Sequence, residues 1–243
     1  MRMCTLARRN AREFLRDPLN LAFSLGFPVV LLLLLSAIQV NVPVSLFEIG
    51  HLTPGITVFG LSFITLFSAT ILSKDRCSAL LQRLYATPLT ASDFILGYTL
   101  PIVPIAVGQC GVCYLFALLL DLQPTVHIVM AIVMLLPVAL FFVALGLLFG
   151  SILNDKQVGG VCGALLTNLT AWLSGTWFDL ELVGGAFKKI AYLLPFVHAV
   201  EMERAVLQGN YGGILPHLWW VLGYALITIL MAVLFFLRQM KHQ

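Results

Sequence analysis

The chain has 243 residues, 60% of them apolar and only 10% charged, with a formal net charge of +3 and a mean hydropathy of +0.99. Soluble domains run at roughly 45–50% apolar and about 25% charged, so a soluble fold would leave large apolar patches against water. Composition therefore excludes a soluble globular domain and places most of the chain in lipid.

A spanning helix needs about 20 mostly apolar residues. Stretches of that length free of Lys, Arg, Asp and Glu are Leu19–Val40, Pro54–Ser73, Phe94–Leu120, Val126–Gly150, Val158–Phe178 and His217–Leu237. Backbone groups in hydrocarbon must bond internally, so only helices or a closed barrel can cross. Barrel strands alternate apolar and polar residues, whereas Leu31–Leu35 and Leu135–Leu140 do not. The expected fold is an all-α polytopic membrane protein of six spans, forming a single transmembrane domain over residues 1–243.

Residues 1–18 open the chain with Leu6, Phe14 and Leu15 set among Arg8, Arg9, Arg12 and Arg16. That pattern predicts a basic amphipathic helix on the membrane surface, turning into the first span at Asp17-Pro18. Thr53-Pro54 reads as the N-cap and first helical residue of the second span. In the following loop, Leu80, Leu81, Leu84 and Tyr85 fall at helical spacing and predict a short helix over 78–87, ended by Thr87-Pro88. Thr90 or Ser92 is expected to cap the third span, with Asp93 in its first turn. Ser151–Gln157 reads as a tight polar turn.

Residues 179–216 do not fit another span. Ala186–Leu194 and Phe196–Leu207 are short, are broken at Pro195, and are interrupted by Lys188, Lys189, Glu201, Glu203 and Arg204. They predict a hairpin of two helices on the outer face, any part of which at membrane depth must be buried against protein. Trp172, Trp177, Trp219 and Trp220 fall near the same interface, where amphipathic rings anchor.

Lys and Arg concentrate in cytoplasmic loops. With the N-terminus inside, the inner segments hold Arg2, Arg8, Arg9, Arg12, Arg16, Lys74, Arg76, Arg83, Lys156, Arg238 and Lys241, against Lys188, Lys189 and Arg204 outside. Both termini are expected in the cytoplasm, and nothing in this distribution points to nucleic acid.

Motifs for chemistry are missing. The sequence has no phosphate loop, no dinucleotide fingerprint and no Cys/His cluster at metal spacing. No catalytic, cofactor-binding or metal-ligating set is expected on this chain. Cys110-x-x-Cys113 lies within an apolar span and reads as packing. No ionisable residue falls mid-membrane, where ion relays would sit, so energy for transport is expected from a partner. Thr57, Thr65 and Ser68 on the second span, and Thr167, Asn168, Thr170 and Ser174 on the fifth, form small polar stripes that either line a path or bond neighbouring helices. Gly146-x-x-x-Gly150 and Gly159-x-x-x-Gly163 permit close helix approach.

One segment is more specific. Asp75-Arg76-Cys77-Ser78-Ala79-Leu80-Leu81-Gln82-Arg83-Leu84-Tyr85-Ala86-Thr87-Pro88-Leu89, followed by Gly97, Pro101 and Gln109, resembles the hallmark of type-2 ATP-binding-cassette exporter permeases, roughly E-R-E-x-G-T-L-E-R-L-x-A-T-P-L. Ala79-Leu80 stands where the pattern has Gly-Thr, and Cys77, Gln82 and Tyr98 replace two acidic positions and a lysine. Leu194-Pro195-Phe196-Val197-His198-Ala199, with Glu201 and Arg204, is similar to the segment that family carries before its last span. The resemblance implies a permease subunit of the bacterial cytoplasmic membrane that pairs with a second permease and binds two separate ATPase subunits. ATP and magnesium would be held on those partners. It implies that Leu80, Leu81, Gln82, Arg83, Leu84 and Tyr85 form a coupling helix. It also implies that Pro195, Phe196, His198 and Glu201 belong to an outer gate releasing an amphipathic drug, lipid, peptide or glycan.

Two other functional classes make different demands on the sequence. An ion-coupled secondary transporter would carry intramembrane carboxylates and an internal repeat. A rhomboid-like serine protease would pair Ser174 with His198 or His217, since a serine nucleophile needs a base within hydrogen-bond reach.

Overall fold

The computed structural model describes residues 2–40, 47–78 and 90–241, and among these every regular element is a helix. Helix α1 (Arg2–Arg16) buries Leu6, Ala7, Asn10 and Phe14 and turns Arg8, Arg12, Leu15 and Arg16 outward. Leu6 and Phe14 are thus on the buried side, whereas Leu15, expected with them, faces outward. At the predicted bend, Asp17 leaves helical geometry, and its carboxylate accepts the Leu19 and Asn20 N–H groups at 3.0 and 3.2 Å. That cap starts α2 (Pro18–Gln39), which contains a π-helical segment at Ala22–Gly26.

Helix α3 (Ile49–Cys77) begins earlier than Thr53-Pro54 suggested. Pro54 lies inside it, past the first turn, where it removes one backbone bond, and the Thr53 hydroxyl donates to the Ile49 carbonyl instead of capping. Thr90 does cap α4 (Ala91–Thr99), in a reciprocal pair with Asp93 in which each N–H reaches the other's side chain at 3.2 Å. Beyond the break at Pro101 come α5 (Ile102–Leu119) and α6 (Val126–Ile152). The polar turn expected at Ser151–Gln157 is built by Asn154 and Gln157, which cap one another.

Helix α7 runs over 155–173 and is π-helical from Gly159 to Leu166. The hairpin region holds three helices where two were expected: α8 (Leu180–Val183), α9 (Gly185–Leu193) and α10 (Pro195–Leu207). Pro195 opens α10, at the predicted break. Gly209, at φ +70°, turns the chain into α11 (Tyr211–Lys241), and its missing Cβ leaves room for the His127 ring. The last long helix thus starts at Tyr211, ahead of the expected His217.

Among the described residues, five helical runs are long and apolar enough to cross a membrane: Pro18–Gln39, Ile49–Cys77, Ser92–Leu119, Val126–Ile152 and Tyr211–Arg238. Val158–Phe178, expected as the fifth span, is helical only to Leu173 and is not among them. Its polar start at Asp155-Lys156-Gln157 and the mid-helix Asn168 dilute its apolar character.

The centre of the bundle is α3, whose most apolar window is 89% buried, against 28% for the corresponding windows of α2 and α11. Lipid tails are as apolar as leucine, so close packing, more than transfer out of water, must hold such a helix. Gly146 and Gly150 supply that closeness. A Cβ at Gly146 would fall 2.6 Å from the Ser68 Cβ, and one at Gly150 would fall 2.8 Å from the Ala69 carbonyl oxygen. Across the same seam the Thr65 hydroxyl donates to the Phe142 carbonyl at 2.7 Å. The second glycine pair plays no such part: nothing lies within 4 Å of a Cβ at Gly159, and Gly163 meets only the Leu66 side chain. Helix α10 is buried along almost its whole length among α3, α6 and α11.

Candidate functional site

The predicted coupling residues Leu80, Leu81, Gln82, Arg83, Leu84 and Tyr85 lie outside the described residues. What flanks them is well defined. Asp75, in the last turn of α3, is buried, and a carboxylate there both opposes the helix dipole and needs partners to compensate desolvation. Arg9 of α1 supplies them as a two-armed pair, with Nη2 donating to Oδ1 at 2.8 Å and Nη1 to Oδ2. The Tyr98 hydroxyl of α4 donates to the same Oδ2 at 2.6 Å. Asn10 donates to the Gly97 carbonyl at 3.1 Å, and Glu13 closes a second ion pair with Arg9 at 2.7 Å. Burial pushes the Glu13 carboxyl up, against the pull of Arg9. Arg76 crosses to the end of α6 and donates to the Leu153 carbonyl at 2.9 Å. Both ends of the loop are thereby tied to each other and to α1.

Of the residues considered for a path, only Asn168 faces outward, with its Nδ2 turned back to the Ala164 carbonyl at 2.7 Å. Thr57, Thr167 and Thr170 are buried and bond carbonyls of their own helices. Thr65 and Ser68 sit in the α3–α6 seam, where the Ser68 hydroxyl has no partner. Gln109, Cys110 and Cys113 are buried together, with Gln109 donating to the Cys113 sulfur at 3.4 Å.

At the opposite end of the bundle, α10 brings Arg204 into a nearly enclosed position. Its Nε donates to the His51 carbonyl at 3.2 Å, Nη2 to the Gly175 carbonyl at 3.0 Å, and Nη1 to Glu201 at 2.7 Å. Burial pulls the guanidinium down from its ordinary value, and Glu201 opposes this. These groups border a cavity of about 480 Å³ shared with Asp179 and Tyr192. Pro195 and Phe196 begin the same helix, and the Phe196 ring packs against Phe141 and Phe142 of α6.

Two ties here join residues that no sequence pattern pairs. Glu203 accepts the Tyr114 hydroxyl at 2.9 Å through one carboxyl oxygen, and the other has no partner. Burial pushes that carboxyl well above the usual carboxylate range, although the Tyr114 bond works the other way. His198 and His217, on separate helices, meet at 2.8 Å between their Nδ1 atoms. Ser174 takes no part with either histidine: its hydroxyl pairs with Thr176 at 2.6 Å, so the dyad a serine protease requires is not formed.

Compared with known protein families, residues 1–207 match the family model for the ABC-2 type transporter. No curated protein matches the chain.

Proposed function

Because the chain belongs to the ABC-2 type transporter family, whose members are the membrane components of ATP-binding-cassette transporters and not their ATPases, we propose that this permease subunit serves an exporter. It pairs with a second permease, docks two ATPase subunits that hold ATP and magnesium, and releases an amphipathic solute on the far side. The segment 155–173 completes a six-span bundle, and residues 1–243 act as one domain of the bacterial cytoplasmic membrane with both termini inside.

The observation that carries this reading is the Arg9–Asp75–Tyr98 tie. A coupling helix over 78–87 must pass the movement of a docked ATPase into the bundle. A loop whose two ends are bonded to each other and to a surface helix delivers a push to α3 and α4 together. Helix α3 hands that displacement to α6 across the glycine seam, and α10 is packed against both. The outer gate of Pro195, Phe196, His198 and Glu201 lies on α10, at the far end from the tie.

Purification of the tagged chain from its native host tests the reading. A soluble ATPase with a phosphate loop should accompany it, and Leu81→Pro or charge reversal at Arg83 should weaken that association or uncouple hydrolysis from transport. Full transport by the chain with no ATPase bound would sink it.

A further inference from the structure

The pairing of His198 with His217 holds more information than its distance. His198 Nε2 lies 2.9 Å from the Tyr192 carbonyl oxygen, and a carbonyl only accepts, so Nε2 carries the hydrogen. In a neutral ring the other nitrogen is then a bare acceptor, and the hydrogen shared between the rings must come from His217 Nδ1. One backbone carbonyl of α9 thus sets the tautomers of side chains on α10 and α11. Trp220 stacks on the His198 ring at 4.8 Å and 9°, which fixes the ring plane. The Tyr224 hydroxyl donates to the Leu193 carbonyl at 2.6 Å, so α11 grips the end of α9 as well.

Such a pair has a limited capacity for protons. His217 is partly exposed, and its Nε2 has no bonding partner among the described residues. A proton added there leaves the Nδ1 hydrogen bond in place with a charged donor, which strengthens it. A second proton finds only His198 Nδ1, where it would set N–H against N–H between two cations.

We propose that His198 and His217 form a proton-binding joint that keeps the hairpin closed on α11 with no proton or one proton added and releases it when the second binds. The groups facing the joint are few. Helix α9 presents Tyr192, with Lys188 over its ring; α10 presents Glu201, whose charge is shared with Arg204; α11 presents His217 and Tyr224. Helix α6 meets this part of α10 through the uncharged Phe141 and Phe142. Burial holds the His198 imidazole below its ordinary value, and Glu201 alone opposes this with a negative charge. The closed form excludes the second proton. Its advantage is therefore full above the ordinary histidine pKa of about 6.5 and falls away as the solution becomes more acidic.

The gating role of the joint rests on the permease reading, whereas the proton count does not. Nitrogen-15 NMR of the full chain, labelled at histidine and held in lipid nanodiscs, reads the count directly. His198 should show the Nε2–H tautomer and His217 the Nδ1–H tautomer at neutral pH, with two protonation steps separated by at least about one pH unit. In His217→Phe, His198 should titrate in one step, raised by about one unit toward the ordinary value. In His217→Asn, whose amide can still donate to Nδ1, the hairpin should stay closed at neutral pH. Spin labels at the exposed positions Ile190 and Leu215, with Cys4 and Cys77 replaced by serine, report the closure. Their separation should stay narrow through the first step and broaden through the second. Two coincident steps near the ordinary value, the opposite tautomers, or a separation that ignores the second step would overturn the proposal. Neither readout requires transport, so loss of the permease reading would leave both results standing.

Discussion

The two ends of the bundle are tied by different chemistry. At the end that carries α1, a guanidinium, a carboxylate and a phenol join Arg9, Asp75 and Tyr98. At the other, Arg204 is held by two backbone carbonyls and Glu201, and two histidines close the hairpin on α11. Histidine is the only side chain whose ordinary charge change falls between about pH 5 and 8, and the first tie uses none. On the proposed function, one end has a mechanical task, where a load must be transmitted unchanged, and the other an adjustable one.

Substitutions can break that contrast, and the expected effects descend in a definite order. Arg204→Ala should be the most damaging, because the His51 and Gly175 carbonyls lose a buried donor; a loss of about 2–4 kcal/mol is expected in unfolding of the chain in nanodiscs. Asp75→Ala should cost about 1–3 kcal/mol, chiefly from the buried Tyr98 hydroxyl left without an acceptor. Arg9 is exposed enough that its own share stays under about 1 kcal/mol. Adding Tyr98→Phe should recover much of the loss, and failure to recover it would move the weight of that tie onto Arg9.

Replacing Glu203 by Leu together with Tyr114→Phe should change stability by no more than about 1 kcal/mol, since both members of a half-satisfied buried pair leave at once. Either change alone should cost more than the two combined. Of similar size is the pH effect at the histidines. Acidification through the second step should lower stability by about 1 kcal/mol, the worth of roughly one pKa unit, and His217→Asn should flatten that dependence. A similar loss in Arg9→Gln at acid pH, absent at neutral pH, would erase the contrast between the ends.

Local signals were read well from the sequence and distant ones were not. Thr90 and Asp93 cap each other three residues apart, and Asn154 and Gln157 do the same, because a cap is decided within one turn. Apolar runs predicted the long helices because a bilayer leaves the backbone few alternatives. Thr53-Pro54 marks a helix start by local rules, but inside a spanning helix neighbouring helices can re-satisfy the backbone that a proline frees, so the start moves back to Ile49. Arg9 and Asp75 stand 66 residues apart, and His198 and His217 stand 19 apart on separate helices. Charge and periodicity are silent on such meetings. Gly146 and Gly150 were legible as a pair suited to close approach, but only the fold says that α3 is the helix they approach.

The two π-helical stretches, Ala22–Gly26 in α2 and Gly159–Leu166 in α7, have a consequence for how this chain tolerates insertion and deletion. A π segment holds a residue that a regular α-helix would not accommodate in the same length. Removing one residue there, for example Gly160, would let α7 close toward a regular helix while the faces beyond it keep their places, with Asn168 still outward. In the regular helices of the bundle the same deletion would turn everything beyond it by about 100°. These two stretches are where the chain can lose a residue without exchanging the face that meets the bundle.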